Sequence, residues 1–212
     1  MKSSFYGTLV VFLVFTSISF AAPEPAVVQG PGLWTLNTVF TNPQQIVLMR
    51  TEDNKPVRFW YIIVTMTNDS GQDADFYPKC ELVTDTFQII PAGKGVGTEV
   101  FERIKERHKS TYPFLELFGM TDNKILQGSD NTKDIVIIWP DFDPESNNIN
   151  IFLTGLSNET AVIEYPNIGT QNAEQRQAYL RKTLELSYSI RGNPASLSGA
   201  SLEYKDKSWV MR

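Results

Sequence analysis

The chain has 212 residues, one cysteine, one histidine and a formal net charge of −5. One Cys excludes an internal disulfide, and one His with one Cys excludes multi-histidine and thiolate-cluster zinc centres. The acidic balance gives no general attraction to nucleic acid or anionic lipid.

Lys2 precedes the apolar run GTLVVFLVFTSISF, and SFAAP follows with small residues at Ser19 and Ala21. This pattern predicts a secretory signal peptide over 1–21, cleaved after Ala21. The run is shorter than the ~20 residues a membrane span needs, and Pro23 and Pro25 follow it directly. Residues 22–212 are then long enough for one domain built on its own core.

From there, period two dominates. LWTLNTVFT (33–41) and QIVLMR (45–50) read as strands. VRFWYIIVTMTN (57–68) is a third, of mixed character: apolar on both faces through Ile63, alternating from Val64 onward. NDSGQD ends it as a turn. FYPKCELVTDTFQII (76–90) holds a further strand or two, and Pro78 suggests an edge or bend. TEVFERIKERHK (98–109) predicts a helix capped by Thr98, with Val100, Phe101, Ile104 and His108 on one face. YPFLELFGM (112–120) is a compact apolar segment. DIVIIWP (134–140), NINIFLTGL (148–156), LRKTLELSYSIRG (180–192) and KSWVMR (207–212) return to strand pattern. In 180–192, Leu184, Leu186, Tyr188 and Ile190 face inward, with Arg181, Thr183, Glu185, Ser187 and Ser189 outward. NIGTQNAEQRQAY (167–179) is polar and reads as a loop or short helix.

About eight short strands predict a mostly β fold, an antiparallel immunoglobulin-like β-sandwich with a helical insertion at about residues 98–120. The core takes Trp60, Ile62, Val64 and Met66 from the third strand. Phe59, Tyr61 and Ile63 then need a cover of their own. The apolar stripe of the predicted helix and the 112–120 segment are the spare surfaces that fit them. The rival expectation leaves that patch exposed to a partner.

Chemistry is sparse in the pattern. His108 stands among Lys and Arg at a helix end, and no G-x-S-x-G elbow occurs. PDFDPESNN (140–148) sets Asp141, Asp143 and Glu145 at alternate positions, a weak calcium candidate. Ser146 and Phe152 stand where an EF-hand needs Gly and Glu, and a hairpin turn explains the same residues. GKGVG (93–97) lacks the spacing of a phosphate-binding loop. Cys80 reads as a buried thiol, with an intermolecular bond as the alternative. Trp34, Trp60, Trp139 and Trp209 read as core; any exposed Trp or Tyr would offer a sugar-stacking platform. Asn68 and Asn158 open N-x-[ST] triplets.

RFWYIIVTMTNDSGQDADFYPKCELVTDTFQIIPAGKGV, LQGSDNTKDIVIIWPDFDP, GLSNET, RKTLELSY and the terminal WVMR resemble a family of uncharacterised secreted proteins of planctomycete-type bacteria. The resemblance spans nearly all of 22–212 and carries over no catalytic or binding residue. More loosely, the chain is similar to immunoglobulin-like modules of bacterial envelope proteins. The expectation is a non-catalytic binding or assembly module of the cell envelope, secreted to the periplasm or extracellular space. It needs no cofactor and has no catalytic residue. Its partner is another envelope or extracellular protein, or a polysaccharide. The alternatives are a carbohydrate-binding module and a hydrolase using two carboxylates.

Overall fold

The computed structural model describes residues 26–27, 32–50, 53–164, 177–197 and 199–212. The expected signal peptide and the 167–176 part of the polar stretch lie outside them. The first half contains β1 (Ala26–Val27), β2 (Asn37–Phe40), β3 (Gln44–Met49), β4 (Pro56–Thr67), β5 (Ala74–Asp75), β6 (Lys79–Thr84) and β7 (Ile89–Pro91). Helix α1 (Thr98–His108) follows, then β8 (Glu116–Leu117), β9 (Lys124–Ile125) and β10 (Lys133–Pro140). The chain closes with β11 (Asn148–Thr154), β12 (Thr160–Glu164), β13 (Gln177–Gly192) and β14 (Ala200–Met211). The protein is mostly β, with antiparallel sheets and one α-helix among the described residues.

The larger sheet runs β1-β12-β13-β11-β6-β7, with β14 also paired to β13. The smaller runs β2-β4-β10-β8, with β3 also on β4. β5 and β9 form a separate two-stranded ladder. Every pairing is antiparallel except β8 with β10.

Alternation along the strands assigns their faces. Trp60, Ile62, Val64 and Met66 of β4 and Ile135, Ile137 and Trp139 of β10 enter one buried cluster. There they join Leu82 of β6, Ile149, Ile151 and Leu153 of β11, and Leu184, Leu186 and Tyr188 of β13. Both sheets therefore contribute to the same core. The opposite face of β4 and β10 makes a second cluster: Phe59, Tyr61, Ile63, Val136 and Ile138 lie with Val100, Phe101 and Ile104 of α1 and with Leu115. The helix covers the outside of the smaller sheet, as the apolar run at 59–63 requires. Beyond the helix the face turns polar, and Thr65 donates to Asp134 at 2.6 Å.

Four local expectations need correction. Thr98 is the first residue of the helix and not its cap; Gly97 occupies the cap with extended backbone and no side-chain hydrogen bond. Pro78 precedes β6, which is an interior strand between β11 and β7; the proline blocks extension of the strand and does not mark a sheet edge. Thr183 is fully buried although its neighbours in the alternation face outward. Its hydroxyl lies 3.1 Å from that of Thr154 and donates to the Arg181 carbonyl, so the polar group is satisfied inside the sheet. β14 starts at Ala200, seven residues before the strand pattern of KSWVMR, because backbone pairing with β13 carries the charged 203–207 stretch into the ladder.

Candidate functional site

The expected calcium ligands do not converge. Asp141 is taken by Arg58: Nε and Nη2 of the guanidinium lie 3.0 and 2.9 Å from its Oδ1, and the Trp60 indole N–H donates to the same oxygen. Asp143 caps its own turn by accepting the Glu145 N–H at 3.0 Å. A hydrogen bond from Thr86 and then that N–H hold the Asp143 carboxyl below the usual range. Glu145 is exposed. No group of three or more His, Cys, Asp or Glu suited to a metal ion occurs among the described residues. Cys80 is buried, and burial pushes its thiol well up, away from thiolate chemistry. Asn68 is also buried, and its amide donates to the carbonyls of Gln72 and Ile125. That amide is structural and closed to glycan attachment in the fold.

His108 is half-buried at the end of α1, where its Nε2 lies 3.0 Å from the hydroxyl of the buried Tyr61. Gln44 and Arg107 contact the same hydroxyl, and the Tyr112 ring lies beside the imidazole. Burial, and then the Arg107 charge, lower the His108 pKa below its ordinary 6.5. The folded state thus binds this proton less readily than the unfolded chain. The contribution is intact above pH 6.5 and is lost as pH falls through the window between 6.5 and the lower folded value. Melting curves at pH 7.5 and 5 should show a larger acid destabilisation in the wild type than in His108→Gln. Equal pH slopes would show that the imidazole is solvated.

A cleft of about 320 Å³ lies elsewhere, beside the β11–β12 connection. Its lining includes Trp34, Asp75, Tyr77, Asn158, Glu159 and Arg181. The period-two pattern of 74–77 builds one wall. Ala74 and Phe76 are buried in the main core, so Asp75 and Tyr77 point outward, and Tyr77 is 61% exposed. Gly155 brings the opposite wall close. Its φ is +95°, and a Cβ there would stand 2.8 Å from Pro78 Cα and 2.9 Å from the Tyr77 carbonyl oxygen. A side chain would push the β11–β12 connection off the Tyr77–Pro78 peptide. The segment at Trp34 is pinned by paired bonds: its N–H donates to Asn158 Oδ1 at 2.8 Å, and Ser157 Oγ donates to its carbonyl at 2.9 Å. Trp34 itself is half-buried, with part of the indole packed against the core.

The polar groups of the cleft divide into two sets. Asn158 and Glu159 are occupied, the first by backbone groups at Trp34 and Gly32, the second by Lys182 at 3.2 Å. The side chains of Asp75, Tyr77 and Arg181 make no hydrogen bond or ion pair among the described residues. The cleft therefore offers one carboxylate acceptor, one guanidinium donor and a phenol, beside the partly exposed indole. It can hold a ligand with both donors and acceptors. Of these residues, only the outward direction of Arg181 was readable from alternation. Tyr77 carried a faint signal, as a large aromatic at an outward position between a buried Phe and a proline.

Comparison with protein-family models, curated proteins and solved structures finds no match to this chain. The functional reading therefore rests on the geometry.

Proposed function

We propose that the protein is a non-catalytic binding module, secreted to the periplasm or extracellular space, on an immunoglobulin-like sandwich with a helical insertion. The shared core of the two sheets supports the sandwich, and the helix over the smaller sheet supports the insertion. The secreted location rests on the apolar run and small residues read over 1–21, which lie outside the described residues. No described helix is long and apolar enough to cross a membrane.

The observation that carries the binding reading is the cleft itself. Exposed Tyr77, Asp75 and Arg181, with no side-chain partner among the described residues, sit on strand-anchored backbone, while Asp141 and Asp143 are committed to structural bonds. Such groups can position a ligand through hydrogen bonds and ring contact. A screen of the purified protein on polysaccharide, ester, peptide and phosphate substrates should give background rates only. Turnover abolished by Asp75→Ala or another single carboxylate substitution would replace this reading with the hydrolase.

A further inference from the structure

Resting on the binding reading, we propose that the cleft between Trp34, Tyr77 and Arg181 is a subsite for a neutral saccharide, taking about one pyranose ring. Three observations lead to that ligand class. First, Asp75 and Arg181 line one cleft without pairing to each other or to any described side chain. A ligand anion would satisfy Arg181 and oppose Asp75, and a cation would do the reverse. A hydroxyl both donates and accepts, so neighbouring hydroxyls on one ring satisfy the two together. Second, the exposed Tyr77 ring and the free part of the Trp34 indole supply apolar surface. The C–H face of a pyranose stacks on such rings while its rim reaches polar groups. Third, the cleft of about 320 Å³ is at the small end for organic ligands, a volume that suits a single ring.

The site is also held in place. Tyr77 follows the β5 ladder, Trp34 is bonded to Ser157 and Asn158, and Arg181 lies on β13 opposite Thr160 of β12. The surface would therefore be formed before ligand arrives, which lowers the ordering cost of a weak polar ligand.

The test is titration of the intact protein with hexasaccharides of glucose, mannose, xylose and N-acetylglucosamine, and with hexagalacturonate as the anionic control. Calorimetry reads binding, and tryptophan fluorescence in a Trp209→Phe background reads the site, since Trp60 and Trp139 are each only 1% exposed while Trp34 and Trp209 are both partly exposed. At least one neutral oligomer should bind saturably and shift the emission. Tyr77→Ala and Asp75→Ala should each weaken it about tenfold or more, Tyr77→Phe should retain most of the affinity, and Phe114→Ala should leave it unchanged. Melting temperatures within a degree or so of wild type would show that these surface variants fold. The proposal is overturned if no neutral oligomer binds, if hexagalacturonate alone binds, or if affinity survives Tyr77→Ala with Arg181→Ala. Absence of binding with background turnover would leave the binding-module reading standing with another ligand. Cleavage of a bound oligomer would keep the saccharide subsite and remove the non-catalytic reading.

Discussion

Replacing Arg58 by Met is expected to lower stability by about 3 kcal/mol, at the lower end of the cost of breaking a buried ion pair. The side chain is 1% exposed. Besides Asp141, it donates to the backbone carbonyls of Pro194 and Ser196, the second at 2.8 Å, and its guanidinium lies 5.0 Å from the centre of the Trp60 ring. One cation thus ties the start of β4 to the end of β10 and to the β13–β14 connection. Met can fill much of the space, so the loss is mainly polar: two carbonyls and a carboxylate lose a charged donor. The Asp141 side chain is 35% exposed, so water recovers part of its loss, which places the value at the low end. At roughly 2–4 °C per kcal/mol for a domain of this size, the melting temperature should fall by about 6–12 °C. Arg58→Lys should recover little, because an ammonium cannot span three acceptors with a planar fork. A loss below about 1 kcal/mol for Arg58→Met, measured by denaturant titration, would show that the pair is replaceable.

Ile104→Asp should cost about 3–5 kcal/mol, by forcing a carboxylate into an apolar cluster or detaching the helix. Ile104 has no exposed surface and packs among Phe59, Tyr61, Ile63, Val136 and Ile138. Detachment would uncover several large side chains, each worth roughly 1.5–3 kcal/mol of burial. Denaturant unfolding reads the loss, and binding of a hydrophobic dye separates a detached helix from global unfolding. The exposed Glu102 on the same helix is the control: Glu102→Ala should stay within about 0.5 kcal/mol. An Ile104→Asp effect as small as that control would mean the helix stripe is solvated.

The two experiments probe different kinds of information in the chain. The strands β4, β6, β10, β11 and most of β13, their core faces and the covering helix were determined by the sequence itself, because each is a short-range pattern, whereas β12 and the first half of β14 were not read from it. The alternation in 148–154 and 184–188 and the stripe of Val100, Phe101 and Ile104 state which side of each element avoids water. The doubled apolar pattern at 59–63 even required a second covering layer, and only one apolar helix stripe was left to supply it. Arg58 lies on the core side by the same alternation, but charge alone argues for exposure. Its burial follows from Asp141, 83 positions away, and from carbonyls more than 130 positions away. Thr183 is similar: alternation put it outward, the fold buries it, and the Thr154 hydroxyl across the ladder and the Arg181 carbonyl satisfy its polar group there. The acidic 141–145 cluster shows the reverse case, where sequence proximity suggested a site and the backbone turned its members apart. The cleft was least legible. Trp34, the Asp75–Tyr77 pair and Arg181 come from three separate segments, and each alone reads as ordinary core, turn or strand surface. Only the tertiary structure brought them to one place, through the close backbone crossing that Gly155 permits and the bonds between the Trp34 and Ser157–Asn158 segments. Contacts between distant segments depend on how whole sheets stack, and no local periodicity encodes that.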